Sequence, residues 1–426
     1  MRTPLLRKPP FRTLRLRAPQ LRTQHRSAAG WPRPLTSIGA AIGAGVALAP
    51  GSLPRGALVT GLLLAAFVGV GALIGRIAGV RAPGSPRSRR YTGWVCAGLT
   101  TGLFAQMLWW QSELRAHLDM SPPGIWWVLG ALVPSALLAA ICCVRARTRA
   151  VFAALAAAVL LPMMPSPAGA AEPARSPADK FVSTDATPTS LRIYGELDTR
   201  DVRVRAAEAV QRWQASGGLG RHAVVVAVPT GSGWVDPDAV NGFESRFGGD
   251  VSVITLQYSD IPSWQAFISS PQPARDSAVA LTESVAEAVG RIPVDERPQI
   301  YIYGQSLGAI GADAARRWAD DNAPTAICHT VLAGAPEGST AVAAAHTTVL
   351  GNGSDPVIRW SPRLIWQPPH LPHDLRSDMP RPPWMPIASF VQASTDLIGA
   401  LSYPAGYGHQ YGTEQGTLAP DCGGFW

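Results

Sequence analysis

The sequence predicts an α/β domain, with a mostly parallel sheet covered by helices on both faces, preceded by an all-α transmembrane helical region. Charge and hydrophobic pattern predict this division. Residues 1–170 contain 19 Lys and Arg against two Asp and Glu, whereas residues 171–426 contain 18 against 27. Long apolar runs dominate the first part, and short apolar runs alternate with amphipathic stretches in the second. Such asymmetry indicates two parts with different roles.

The net charge of the whole chain, +8, therefore describes neither part. A basic nucleic-acid-binding globule is disfavoured, because the part with a globular pattern is acidic. The 14 Trp residues of the chain also argue against a disordered protein. We expect no nucleic-acid partner.

Residues 1–34 hold nine basic groups and no acid, which predicts a basic cytoplasmic tail. Residues 35–168 then predict a transmembrane region of about five helices. A helix needs roughly 20 residues to cross a ~30 Å hydrocarbon core, so the first and last spans are marginal and the middle three are long enough. The spans are Leu35–Pro50, Gly56–Ile74, Gly93–Gln111, Gly124–Val144 and Ala150–Pro165.

The loops between the spans predict the orientation of this region. The loop Gly75–Thr92 carries five Arg and the loop Arg145–Arg149 carries three, whereas the loops near Arg55 and Arg115 carry one basic residue each. Cytoplasmic loops are enriched in Lys and Arg, so the tail and the Arg-rich loops are expected in the cytoplasm. Five crossings then predict a multi-pass plasma-membrane protein whose second part lies on the extracytoplasmic side.

Residues 169–190 are rich in Ala, Pro, Ser and Thr and predict a flexible linker. Small residues near Ala170 also resemble a signal-peptidase site, so cleavage is the alternative to a plain linker. In the second part, an oxidising exterior permits a disulfide between Cys328 and Cys422, and two separate thiols are the alternative.

Residues 191–426 contain five apolar runs that predict strands and three amphipathic stretches that predict helices. Continuous apolar strands separated by helices indicate a parallel sheet buried on both faces. The strands are Ala223–Val228, Val251–Gln257, Gln299–Tyr303, Ala326–Ala333 and Thr347–Leu350, and the helices are Arg200–Ala215, Arg275–Arg291 and Leu307–Asp320. The Trp- and Pro-rich stretch Trp360–Trp384 predicts an ordered excursion without regular elements.

The sharpest motif is Gly304–Gly308, GQSLG, which matches G-x-S-x-G. It follows one predicted strand and opens a predicted helix, which is the context that a nucleophile elbow requires. The turn lifts the serine hydroxyl above the sheet, and the helix N-terminus favours developing negative charge. Ser306 is therefore the predicted nucleophile; the alternative is a small-residue turn without chemistry.

A serine hydroxyl needs a base oriented by an acid, and in this context the chain order is Ser, then Asp or Glu, then His. His409 lies in a Gly-rich loop near the C-terminus and is the predicted base. Asp355 follows the last predicted strand and is the predicted acid, with Asp396 as the alternative.

The oxyanion hole is expected to use the backbone N–H of Leu307 and one from Thr230 or Gly231, in the loop after an early strand. The Gly-rich stretch there lacks the spacing of a phosphate-binding loop, and no Cys/His cluster has zinc spacing. We therefore expect neither a cofactor nor a metal.

Together these motifs resemble the actinobacterial membrane-anchored alpha/beta-hydrolase family, in which N-terminal transmembrane helices precede an alpha/beta-hydrolase domain. The resemblance rests on PTGSGW (Pro229–Trp234), QYSDIPSW (Gln257–Trp264), GQSLG, NGSDPV, the Trp-rich excursion and GYGHQY. It implies Ser306 as nucleophile, Asp355 as acid and His409 as base. The chain departs from the family at Gln305, where Glu is more common, and at Tyr407, where a second histidine is common.

The predicted function is that of a membrane-anchored serine hydrolase, esterase- or lipase-like, that cleaves ester or related acyl bonds. Location alone suggests lipid or cell-envelope substrates. Trp and Pro residues of 360–386 are expected to form a lid or an acyl-binding wall. Two alternatives stay open: an acyltransferase that uses the same triad, and a non-enzymatic envelope assembly or partner-binding module.

Overall fold

The computed structural model describes residues 32–80, 84–143, 176–183, 190–262, 265–266, 269–337, 344–371 and 375–422, and of residues 138–143 it describes the backbone alone. Residues 1–31 of the predicted tail, the predicted span Ala150–Pro165 and the cleavage site near Ala170 lie outside the described residues. So does the Arg-rich loop Arg145–Arg149.

Four helices make up the described N-terminal region: α1 Pro34–Ala47, α2 Ala57–Ala78, α3 Pro86–Ala116 and α4 Ile125–Cys143. They overlap the first four predicted spans. Within the described ranges, however, only α2 is long and apolar enough to cross a membrane. Helix α1 is too short, and α3 begins in the Arg-rich loop and carries Thr and Gln along its length. The structure thus has one candidate span where the sequence predicted four in these residues.

Glycines allow α1 and α2 to pack with their backbones in contact. A Cβ atom on Gly39 or Gly43 of α1 would collide with the carbonyl groups of Gly71 or Phe67 on α2. Small residues four positions apart are the usual device for such close packing between membrane helices. The helical region is therefore a tightly packed unit at its start.

The second part of the chain contains the predicted parallel sheet, here with six strands in the order β1-β3-β2-β4-β5-β6. All pairs of neighbouring strands are parallel. The strands are β1 Leu191–Gly195, β2 Ala223–Val228, β3 Val251–Leu256, β4 Gln299–Gln305, β5 Ile327–Ala333 and β6 Thr347–Leu350. The α/β fold with a parallel sheet is thereby confirmed.

Helices cover both faces of this sheet. Successive strand residues point to opposite sides, so a continuous apolar strand places apolar side chains on both faces. Val224 and Val226 of β2 pack in one cluster with Trp213, and Val225 packs on the other face with Phe243. The helices are α5 Pro177–Ser183, α6 Val202–Ala215, α7 Pro237–Arg246, α8 Gln272–Gly290, α9 Leu307–Asn322, α10 Pro356–Arg359, α11 Ala388–Asp396 and α12 Glu414–Thr417. Short 3₁₀ turns lie at Gly218–Gly220, Val294–Glu296, Pro362–Ile365 and Leu397–Gly399.

One described part of the predicted flexible linker is instead the helix α5. It forms because Phe181 is buried against Tyr194, with the two ring centroids 5.8 Å apart. Arg192 also donates a hydrogen bond to the carbonyl of Phe181. Tertiary packing therefore orders a segment whose composition alone suggests a spacer.

Cys328 and Cys422 form a disulfide, with their Cα atoms 5.8 Å apart. The bond joins β5 to the end of the described chain. It settles the alternative that the sequence left open between a disulfide and two thiols.

The strand order places the functional residues. From β2, the sheet extends in one direction through β3 to β1, and in the other through β4, β5 and β6. In parallel sheets, ligands bind beyond the carboxyl ends of the strands where the order reverses, which here means β2 and β4. Thr230 and Gly231 follow β2, and Ser306 follows β4.

Candidate active site

Ser306 lies on a strained turn between β4 and α9. Its φ of 57° and ψ of −123° fall in a region that residues with a side chain seldom occupy. Its N–H donates to the carbonyl of Ala333 at 2.9 Å, which fixes the turn against β5. Strain of this kind costs about 1–3 kcal/mol and is typical of functional sites.

The flanking glycines make the turn sterically possible. A Cβ atom on Gly304 would collide with the carbonyl of Gly308, and one on Gly308 with the carbonyl of Val228 at the end of β2. The spacing G-x-S-x-G therefore follows from close backbone contacts around the serine.

The structure brings His409 and Asp355 together. His409 Nδ1 lies 2.8 Å from Asp355 Oδ2, and the Asp355 carboxylate is fully buried. Asp355 also caps α10, because its Oδ1 accepts the N–H of Val357 at 2.8 Å. Its two oxygens are thus fixed, and the imidazole is held with Nε2 as its remaining nitrogen.

Tyr411 is a further partner of this carboxylate. Its hydroxyl donates to Asp355 Oδ2 at 2.7 Å, and its ring packs edge-on against that of His409 at 5.9 Å. Burial, reinforced by the charge of Asp355, raises the pKa of Tyr411 well above its ordinary value. Tyr411 is therefore a neutral phenol that donates a hydrogen bond at all ordinary pH values.

Two side chains fix the backbone on either side of His409. Asn352 Nδ2 donates to the carbonyls of Gly408 and Gln410, both at 3.0 Å. Gln305, next to the serine, donates from Nε2 to the carbonyl of His409 at 3.1 Å. Gln305 thus connects the nucleophile turn directly to the histidine loop.

Asp396, the alternative acid, lies elsewhere. It forms an ion pair with Arg55 from the helical region, with 2.9 Å between Nε and Oδ1. Its other oxygen accepts the N–H of Ser52. The structure therefore places Asp355, and not Asp396, beside His409.

The predicted oxyanion donors differ in availability. Leu307 is the first residue of α9, where a backbone N–H has no partner within the helix. The N–H of Thr230, by contrast, already donates to the carbonyl of Trp234 at 2.8 Å. Of the two residues predicted for the second donor, Thr230 thus has its N–H engaged within the loop, which favours Gly231; the oxyanion hole itself stays a prediction.

Ser306 and His409 line one cavity of about 400 Å³. The other lining residues are Thr230, Ser232, Trp234, Leu401, Pro177 and Lys180. Among the described residues, the Ser306 hydroxyl forms no hydrogen bond; in unliganded sites such contacts are often loose. Trp234 and Leu401 give the cavity an apolar wall.

The Trp- and Pro-rich excursion does not supply this wall from its described residues. Met379 packs instead against Leu53, Trp110 and Leu114 of the helical region. Since the described residues of the excursion are not among those that line this cavity, the lid or acyl-binding wall stays a prediction.

A second acidic group lies near the cavity. Burial raises the pKa of Asp236, which caps α7, to about 6. Its Oδ2 accepts a hydrogen bond from Gln415, which in turn accepts one from Tyr303. These hydrogen bonds connect the loop after β2 to the C-terminal segment.

Sequence reasoning missed Tyr411, Asn352 and Leu401. Tyr411 and Asn352 both lie within motifs that the resemblance uses, so the signal was present without a role attached. Leu401 lies between motifs, and no local pattern marks it.

Comparison with known proteins agrees with this fold. A family model described as the alpha/beta-hydrolase family matches residues 191–348 and 340–418, which together span more than half of the chain. The matched ranges contain the whole sheet and the loops that carry Ser306, Asp355 and His409. No match was found among curated proteins or among solved structures.

Proposed function

Because this chain belongs to the alpha/beta-hydrolase family, we propose that it is a serine hydrolase that cleaves ester or related acyl bonds through Ser306, His409 and Asp355. The observation that carries the proposal is the shared cavity. A serine on a strained elbow and a histidine bonded to a buried carboxylate line one space, at the switch point of the sheet.

In the first half-reaction, Ser306 Oγ attacks the acyl carbon while His409 Nε2 takes the hydroxyl proton. Asp355 accepts a hydrogen bond from the Nδ1–H and stabilises the imidazolium that forms. The N–H groups of Leu307 and Gly231 donate to the oxyanion. The bond to the leaving alcohol then breaks, and the alcohol takes the proton from His409.

In the second half-reaction, water attacks the acyl-enzyme. His409 accepts a proton from the water, and the acid is released as Ser306 regains its hydrogen. Ser306 is partly exposed to solvent, so water can reach the ester bond. This favours hydrolysis over acyl transfer, which would need an acceptor alcohol in a site closed to water.

We further propose that the catalytic part lies at the extracytoplasmic surface of the plasma membrane. Three observations support this. Much of the apolar surface of α2 is exposed, including Val70, Leu73 and Ile77. The disulfide is of a kind that persists in oxidising compartments. The loops predicted to be outside, near Arg55 and Arg115, are those that contact the catalytic part, through Arg55 and His117.

Such a position favours lipid or cell-envelope esters as substrates. The apolar wall of Trp234 and Leu401 suits an acyl chain, and Lys180 at the cavity suits an acidic group near the ester. Both features are consistent with an amphiphilic acyl ester.

Hydrolysis of a p-nitrophenyl ester by the full-length protein tests the proposed reaction. Wild type is expected to turn over, and Ser306→Ala is expected to lose activity by roughly 10⁶-fold in kcat. Ser284→Ala, a serine on α8 bonded to a carbonyl of its own helix, serves as control. Equal rates for wild type and Ser306→Ala would refute the mechanism.

Protease treatment of spheroplasts tests the location. We expect the catalytic part to be cleaved from outside in intact spheroplasts. Protection of residues 190–422 until the membrane is permeabilised would contradict the proposed orientation.

A further inference from the structure

We propose that the N-terminal helical region positions the general base, and that Arg55 and Asp396 are positioning residues for the reaction. This inference rests on the proposed function, because it assigns a role relative to His409. Beyond the proposed function, the helical region then has a role in the reaction itself: it positions His409 as well as holding the hydrolase domain at the membrane surface.

A buried ion pair joins the two parts of the chain. Arg55, in the loop between α1 and α2, bonds to Asp396 at the end of α11, and the two side chains are 7% and 1% exposed. Ser52, from the same loop, donates to Asp396 from both its N–H and its hydroxyl, at 2.7 and 3.0 Å. The carboxylate is thus surrounded by donors from the helical region.

Gln392, one turn earlier on α11, extends this contact. Its Nε2 donates to the carbonyls of Val46 and Ala47 at the end of α1, and its Oε1 contacts the guanidinium of Arg55. Both side chains on this face of α11 are therefore committed to the helical region. The position of α11 follows that of the loop between α1 and α2.

The segment from Asp396 to His409 transmits this position to the base. The His409 N–H donates to the carbonyl of Ala400 at 2.9 Å, four residues after Asp396. Between them, the hydroxyl of Tyr403 donates to the carbonyl of Pro54 at 2.6 Å, and that of Tyr407 donates to the carbonyl of His117 at 3.1 Å. The helical region holds the segment at three points.

Asn352 and Gln305 hold the backbone at His409 itself, but the segment that leads to His409 has little regular structure of its own. After the 3₁₀ turn Leu397–Gly399 it contains no helix or strand up to His409, and Gly406 and Gly408 adopt positive φ. Glycine-rich backbone has many alternatives to the observed conformation. A displacement of about 1 Å in a reacting group can cost roughly 100-fold in rate.

The same contacts give Tyr407 a role. Its hydroxyl donates to the carbonyl of His117, the residue that follows α3. In this chain, the residue two before the base is therefore an attachment point to the helical region.

The test uses the full-length protein, a fluorophosphonate probe and a soluble p-nitrophenyl ester. Arg55→Met leaves Asp396 buried without its cation. Tyr403→Phe with Tyr407→Phe removes two hydroxyl contacts and strands no charge, so it stays informative if Arg55→Met folds poorly. Arg203→Met is the matched control, because it breaks an ion pair with Glu283 at 3.3 Å in which Arg203 is 74% exposed.

We expect Arg55→Met to lower kcat and the labelling rate roughly 10- to 100-fold, with KM within about twofold and labelling still complete at long times. In the double tyrosine variant, kcat and the labelling rate should fall about two- to tenfold for each hydroxyl removed. In Arg203→Met, both quantities should match those of the wild type. Wild-type kcat in both interface variants would overturn the inference. So would a reduced labelled fraction with an unchanged rate, which indicates partial unfolding alone. A wild-type chain that does not label would refute the proposed function itself, and this inference with it.

Discussion

Gly334 is the position where one added methyl group should disable the histidine without touching the serine. It follows β5 with a φ of +55°, and a Cβ atom there would lie 2.6 Å from His409 Cε1 and 2.9 Å from Nδ1. It would also lie 2.9 Å from the ring of Tyr411. Ordinary Cβ contacts are 3.4–4 Å, so the imidazole in Gly334→Ala must retreat by about 1 Å.

A displacement of that size in a general base should lower kcat roughly 100-fold. The substitution also places a side chain at positive φ, which costs about 1–2 kcal/mol of stability. Gly217→Ala separates the two effects, because Gly217 has a φ of +80° and no atom within 4 Å of the added Cβ. It should show the stability loss with unchanged kcat.

Steady-state hydrolysis of a p-nitrophenyl ester, with urea unfolding of the same samples, measures both quantities. Gly334→Ala with kcat within twofold of wild type would refute the proposed placement of His409 as base. Equal losses of kcat in Gly334→Ala and Gly217→Ala would assign the effect to backbone strain.

Three other changes follow from the same contacts. Asp355→Asn should lower kcat about 10⁴-fold with retained folding. The amide has a single oxygen, which cannot accept both from the N–H of Val357 and from His409, so the imidazole loses its orientation. Steady-state kinetics with a folding check measures this. Reduction of Cys328–Cys422, which closes a loop of 94 residues, should lower the free energy of unfolding by roughly 2–5 kcal/mol, measured by urea unfolding with and without reductant. Burial lowers the pKa of His329 to about 4, against about 6.5 when unfolded, so the unfolded state binds the extra proton between these values. Stability should therefore fall by roughly 2–3 kcal/mol between pH 7 and pH 4.5, and His329→Gln should remove most of that dependence in urea unfolding at the two pH values.

Local patterns predicted the parts of the site that the local chain determines. The elbow at Ser306 depends on two glycines and on the adjacent strand and helix, all within a few residues. Four of the five predicted strands agree with the structure to within one residue at each end, because buried parallel strands are continuous apolar runs. In the remaining one, β4, the strand continues two residues further, to Gln305.

Other elements had weaker signals. Helix α7 was missed although Asp236 caps it and Pro237 starts it, which are ordinary N-terminal signals. Strand β1 is short and only partly buried, so its pattern is faint.

Long-range contacts decided what the sequence left open. Asp355 and Asp396 are both acids upstream of His409, and no spacing rule separates them. The ion pair with Arg55 is what holds Asp396 away from His409, and Arg55 lies 341 residues from Asp396. From the sequence, Arg55 was interpreted only as the single basic residue of a loop between predicted spans. The same distance in sequence conceals the attachment of the histidine loop to the helical region.

The central claim is that Ser306 is the nucleophile of a serine hydrolase, and covalent capture tests it most directly. The full-length protein is treated with a fluorophosphonate probe, and the modified peptide is identified by mass spectrometry. We predict one modified residue, Ser306, in the wild type and no modification of Ser306→Ala under the same conditions. An unmodified wild type, or equal modification of Ser306→Ala, would contradict the claim.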